Sequence, residues 1–213
     1  MMGMKEKLQR NLGWVILAFH LIGVAGTLFG PTSELTISLT PLNLLLSAGL
    51  IFFTHAEPIK PLALFALISF VIGFSFEVVG VATGVIFGEY QYGPTLGWSW
   101  MNVPLVIGVN WFILSYCFAE IAGRLPLPVI SRSFVGAVFM VLLDFLIEPV
   151  AVKLDYWQWT SGTIPIQNFI GWFVIALVIQ FIANRVLGPI RNTLTIYLII
   201  SQIIYFSLIL IFY

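Results

Sequence analysis

Apolar stretches of about 20 residues recur along this chain with little between them, and a backbone so enclosed must satisfy its own hydrogen bonds as membrane-spanning helices. Composition agrees: 60% of residues are hydrophobic, 8% are charged and the mean hydropathy is +1.06, too little polar surface to solvate a globular domain. Length and punctuation by proline and polar residues place spans near 12–30, 38–55, 61–84, 101–122, 129–150, 165–187 and 192–212. The second is the least regular, because Pro41 and Asn43 shorten its clean core. The expectation is one polytopic membrane domain over 1–213, an all-α compact bundle of about seven transmembrane helices in the cell membrane.

The first span follows Lys5, Lys7 and Arg10 and has the look of a signal peptide, but no small-residue cleavage pattern follows Phe29, so it reads as a retained helix. With a cytoplasmic N-terminus, Lys5, Lys7, Arg10, Lys60, Arg124, Arg132, Arg185 and Arg191 fall on the cytoplasmic side and only Lys153 falls opposite, as the positive-inside bias requires. Net charge is zero and no basic cluster exists beyond the N-terminus, which leaves a nucleic-acid partner without support. A single cysteine, Cys117, excludes an internal disulfide and a thiolate cluster. The two histidines stand on separate segments without HxxxH or HExxH, and the glycines form neither GxxxxGK nor GxGxxG. No metal and no nucleotide cofactor is expected.

Carboxyl groups inside such spans are costly and point to chemistry, an ion path or a specific helix contact. Glu77 lies about 24 Å along its span from Pro61 and Asp144 about 22 Å along its own from Val129, so two acids on different helices reach the same non-cytoplasmic half. Glu148, four residues after Asp144, shares its helix face, and Pro149 opens a carbonyl one turn earlier. Three carboxyl groups are thus placed to converge. Gly73, Gly80 and Gly84 repeat the Glu77 face and admit either a neighbouring helix or a flat ligand.

Two connections lie at the same depth, FGEYQYGPTLGWSWMNVP at 87–104 and EPVAVKLDYWQWTSGTIPIQNF at 148–169. Tyr90, Tyr92, Trp98, Trp100, Tyr156, Trp157 and Trp159 there make either an interfacial aromatic belt or the wall of an apolar pocket whose ring faces stabilise a cation. Elsewhere, Glu120 and Arg124 have the spacing of a local ion pair, and His55, Glu57 and Lys60 read as a turn. His20 is either a hydrogen-bonded core histidine or a catalytic one. Asn110, Asn168, Gln180 and Gln202 serve helix contacts or orient water, and spacing does not separate these roles.

GFSFEVVGVATGVIFGEYQYGPTLG at 73–97, VPLVIGVNW at 103–111 and DFLIEPVAVKLDYWQWTSGTIPIQNFIGW at 144–172 resemble the membrane carotenoid-biosynthesis hydratases, the family that includes bisanhydrobacterioruberin hydratase and carotenoid 1',2'-hydratase. The resemblance implies a cofactor-independent hydro-lyase that adds water across the terminal C1'=C2' double bond of an acyclic carotenoid end group. It implies catalytic roles for Glu77, Asp144 and Glu148. Candidate substrate contacts are Gly80, Gly84, Glu89, Tyr90, Tyr92, Trp98, Asn110, Tyr156, Trp157, Trp159 and Asn168. Relatives commonly carry an aspartate where this chain has Glu148, a longer side chain whose reach differs. Implied partners are water, the bilayer, a polyene such as lycopene, gamma-carotene or a longer acyclic carotenoid, and other carotenoid enzymes in contact.

An isolated trisubstituted alkene is a poor base, and protonating it takes a strong acid held close; desolvation keeps a carboxyl group in its neutral form. Glu77 or Asp144 is the expected acid, with a remaining carboxylate and aromatic faces stabilising the tertiary cation while water attacks. A carotenoid cyclase shares the protonation step and differs in how the cation is quenched. A transporter with a buried acidic site belongs to another class, against which stand the odd span count and the absence of an inverted repeat.

Overall fold

A computed structural model describes residues 3–213. Eight helices follow in order: α1 (Met4–Leu28), α2 (Gly30–Ser38), α3 (Thr40–Thr54), α4 (Ile59–Thr83), α5 (Leu105–Ala122), α6 (Val129–Lys153), α7 (Ile166–Val186) and α8 (Leu194–Phe212). Six are long and apolar enough to cross a bilayer, and α2 with α3, bent by 50°, forms a broken apolar pair that brings the number to seven where the pair counts as one span. The chain is therefore a multi-pass integral membrane protein. The bend falls where Pro41 and Asn43 interrupt the apolar run, since a proline fits the first turn of a helix but not its middle.

Sequence punctuation sets the ends that position the acids. Helix α4 stops at Gly84, which takes a left-handed conformation (φ 66°) and returns its N–H to Gly80 O at 2.8 Å. Helix α6 starts after Pro128 and runs through Pro149 to Lys153, slightly beyond the expected end. Pro149 has no N–H to give Phe145 O, and the helix continues because the surrounding bundle holds it. Helix α5 is the axle of the bundle, with Trp111, Ile113, Leu114, Tyr116 and Cys117 fully buried.

The connections are not loose loops. Strand β1 (Tyr90–Tyr92) pairs antiparallel with β4 (Trp157–Trp159), placing Tyr90 opposite Trp159, Gln91 opposite Gln158 and Tyr92 opposite Trp157. A second ribbon joins β2 (Ser99–Trp100) to β3 (Val103–Pro104). In the first ribbon the aromatic residues occupy one face and the glutamines the other, as strand alternation demands. The aromatic face closes over the ends of α4 and α6.

At the opposite end of the bundle, Glu120 has no accessible surface and takes Arg124 Nη2 at 2.9 Å and the Thr195 hydroxyl at 2.9 Å. The Asn192 N–H reaches it at 3.3 Å, so this expected local ion pair also fastens α5 to the start of α8. Nearby, the Tyr116 hydroxyl and His55 Nδ1 are 2.8 Å apart at the α3–α4 turn, where burial pulls the imidazole below its ordinary value.

Candidate active site

Glu77 is buried, and the glycines that share its face explain how. A Cβ on Gly73 would stand 2.2 Å from the Trp111 ring, and one on Gly80 would stand 2.5 Å from Phe87 and 3.4 Å from the Tyr90 hydroxyl. The small residues admit neighbouring rings of this protein, which come to rest against the carboxyl group between them. Tyr90 donates its O–H to Glu77 Oε2 at 2.5 Å, Tyr92 donates to the same oxygen at 2.8 Å, and Trp111 Nε1–H reaches Oε1 at 3.1 Å. Trp111 is itself held by stacking on Trp172, with ring centroids 4.2 Å apart. Burial, reinforced by the adjoining Glu77 carboxylate, pushes the Tyr90 and Tyr92 phenols well above their ordinary range, so both remain hydrogen donors.

Glu148 has a matching cradle from the other strand of the ribbon. Trp157 and Trp159 donate their indole N–H groups to Oε2 at 3.0 and 2.9 Å, and Asn168 Nδ2 donates to Oε1 at 2.8 Å. The same Asn168 amide reaches Asp144 Oδ2 at 3.1 Å, whereas Asp144 Oδ1 is buried without any partner. Glu77 and Glu148 thus each receive three donors, and Asp144 receives one. Among the described residues no Lys, Arg or His pairs with any of the three. Nor do three His, Cys, Asp or Glu side chains among the described residues come together as a metal-binding group.

Glu77, Tyr90, Tyr92, Asn110, Glu148, Trp157, Trp159, Asn168 and Trp172 enclose a chamber of about 30 Å³. A void of that size with several polar walls is large enough to hold a water molecule. Beside it lies a cavity of about 620 Å³, bounded mostly by apolar side chains of α1, α2, α3 and α8. Ile107, Asn110 and Trp157 border both spaces, and no carboxyl group borders the larger one. The large apolar volume and the acid groups are therefore separate but adjoining.

Of the expected site residues, Glu77, Glu148, Tyr90, Tyr92, Asn110, Trp157, Trp159 and Asn168 meet at the chamber, and Tyr156 borders the larger cavity. Asp144 stands one amide behind the chamber wall, so the three carboxyl groups do not all open into one space. Gly80 and Gly84 border neither space; one receives Phe87 and the other ends α4. Glu89 is exposed, and Trp98 is 84% exposed, because the second ribbon turns it outward as an interfacial ring would be. Trp111 and Trp172 carry no local mark of a place at this site; Trp111 follows Asn110 directly in VNW, and its burial depends on Gly73, which no local pattern pairs with it.

The sequence profile of the family described as "Carotenoid biosynthesis protein" matches residues 39–212. A bisanhydrobacterioruberin hydratase from Haloarcula japonica is 31% identical over 121 residues, which cover 53% of this chain and 41% of that relative, so the match spans less than half of the relative's length. No solved structure matches the chain.

Proposed function

The chain belongs to the carotenoid biosynthesis protein family, and from that premise and the geometry of the chamber we propose that it is a carotenoid hydratase. The observation that carries this reading is a pair of buried, cation-free carboxyl groups, Glu77 and Glu148, facing one water-sized space beside a polyene-sized cavity. Similarity to a bisanhydrobacterioruberin hydratase points to the same reaction class.

In this mechanism the acyclic end group enters the larger cavity and brings its terminal double bond to the boundary at Asn110 and Trp157. Asp144 and Glu148 share one proton. Asn168 donates to both and holds the two carboxyl groups as one unit, and Glu148, the member that borders the chamber, delivers the proton. Glu148 protonates the less substituted alkene carbon, and the alkene π pair forms the new C–H bond. The tertiary cation that results is stabilised by the Glu77 carboxylate and the Trp157 face. Water in the chamber supplies its lone pair to the cation, and Glu77 takes the proton it releases. Return of that proton through water to the Asp144/Glu148 pair restores the site.

The chamber also bears on the alternative of ring closure, in which an internal double bond captures the same cation. A water-sized polar space beside the reacting carbon favours capture by water, provided bulk solvent stays out. The test is to incubate the purified chain in lipid with lycopene or gamma-carotene and weigh the product. Gain of one water supports hydration; an isomer of unchanged mass identifies a cyclase; unchanged substrate together with vesicle uptake of a solute identifies a transporter.

A further inference from the structure

Helix α5 brings no carboxyl group to this end of the bundle, yet it supplies most of the wall between the two spaces. Ile107 and Asn110 are one helical turn apart and share a face, and with Trp157 they border both the chamber and the large cavity. Ile107 is apolar, and the Trp157 indole N–H is committed to Glu148. The Asn110 amide is half-buried and makes no hydrogen bond among the described residues. It therefore holds the free polar atoms of the shared wall. The other amide of the chamber, Asn168, gives its Nδ2 hydrogens to Asp144 and Glu148. The Trp172 N–H also lacks a partner among the described residues, but that ring borders only the chamber, stacked on Trp111.

An asparagine inside a membrane helix ordinarily ties two helices through its amide. Asn110 makes no such tie, so helix packing does not account for it. A free amide facing a water-sized polar void suits a water molecule, which needs two to four polar partners to be held.

We infer that Asn110 is the specificity-determining residue of this site: it holds the attacking water at the boundary, so that the tertiary cation ends as an alcohol rather than as an alkene. This inference rests on the hydratase reading and deepens it. The water gives one O–H to the Glu77 carboxylate and the other to Asn110 Oδ1, which leaves its lone pairs for the cation. Without the amide oxygen the water has one anchor and turns freely. The cation then loses a proton from an adjacent methyl group to Glu77, and the C–H pair becomes the new double bond. The product of that path is an isomer of the substrate, formed with no water added.

The full chain in lipid nanodiscs is given lycopene in deuterium oxide, as wild type and as Asn110→Thr and Asn110→Val. The two replacements share one shape and differ by a hydroxyl that can accept a hydrogen bond. Carbon-bound deuterium reports the protonation step, and the ratio of alcohol to deuterated alkene reports how the cation is quenched. In Asn110→Val that ratio should fall about 10-fold or more, the worth of one hydrogen bond to a held water, while deuterium still enters the polyene. In Asn110→Thr it should stay closer to wild type. If Asn110→Val does not fold, as judged by circular dichroism and gel filtration, Asn110→Leu takes its place. A wild-type ratio in the folded apolar variant, or the same fall in both replacements, overturns the role of Asn110 and leaves the hydratase reading standing. Absence of alcohol from the wild-type protein overturns that reading itself.

Discussion

The two ends of this bundle both bury carboxyl groups and treat them in opposite ways. Glu120 is paired with the Arg124 guanidinium and receives the Thr195 hydroxyl and the Asn192 N–H, so its charge is neutralised and its oxygens are occupied. Glu77 and Glu148 receive only neutral donors, phenols, indoles and one amide, and Asp144 keeps an oxygen with no donor. A paired charge is fixed in one protonation state and serves as a fastener. An unpaired carboxyl group held by neutral dipoles can gain or lose a proton without breaking an ion pair, and that is what acid–base chemistry needs. The contrast teaches that burial alone does not single out a membrane acid for chemistry; the proposed catalytic acids differ from Glu120 in having no cation beside them.

Substitutions at the two ends should break apart along that line. Glu148→Gln and Glu77→Gln should each lower turnover about 10³-fold or more, the upper range for a lost acid or base, while thermal unfolding in detergent stays close to wild type. Retained turnover in either variant would remove that residue from the proposed mechanism. Asp144→Asn should follow closely, since the shared proton is lost. Glu120→Ala should do the reverse, destabilising the protein by roughly 2–4 kcal/mol, below the value for a fully dry pair because Arg124 is partly exposed. The fraction of that variant that folds should keep its turnover per molecule.

Smaller effects sharpen the comparison. Tyr92→Phe or Trp159→Phe removes one of three donors from a carboxylate and should slow turnover by about 10-fold, in line with the ~1.5–3 kcal/mol of a hydrogen bond to a charged group partly offset by the two that remain. Gly80→Ala should act through Tyr90, because its Cβ meets Phe87 and approaches the phenol; a modest loss of rate without loss of helix content is the expected outcome by circular dichroism and assay. The phenols supply a pH test. Burial raises both in the folded state above the ordinary value of 10.0, so in the unfolded chain they lose protons first. Their contribution to stability is complete below that value and declines as pH rises above it. Unfolding midpoints compared at about pH 9 and about pH 11 should therefore fall less in a Tyr90→Phe, Tyr92→Phe double variant than in wild type.

How far the site was legible depended on the range of the signal. The depth of Glu77 and Asp144 follows from counting residues along helices whose ends are marked by Pro58, Gly84 and Pro128, all local features. YQY and WQW each alternate aromatic and polar residues, and that two-residue period is a strand signal that the dense aromatic count conceals. Their pairing, and with it the conversion of four belt-like rings into four hydrogen donors, joins segments on either side of two helices and has no local signature. Trp111 illustrates the same limit, since its place against Gly73 is a contact between α4 and α5.

Membrane residence, the positions of the long apolar helices and which of them carry the acids were determined by the sequence alone, because hydropathy and helical period accumulate residue by residue along the chain. Which carboxyl groups found a cation, which were cradled by neutral donors and which space they faced was decided only by the tertiary structure. Those outcomes depend on distances of about 3 Å between side chains from different helices and strands, and no property of a single segment specifies them.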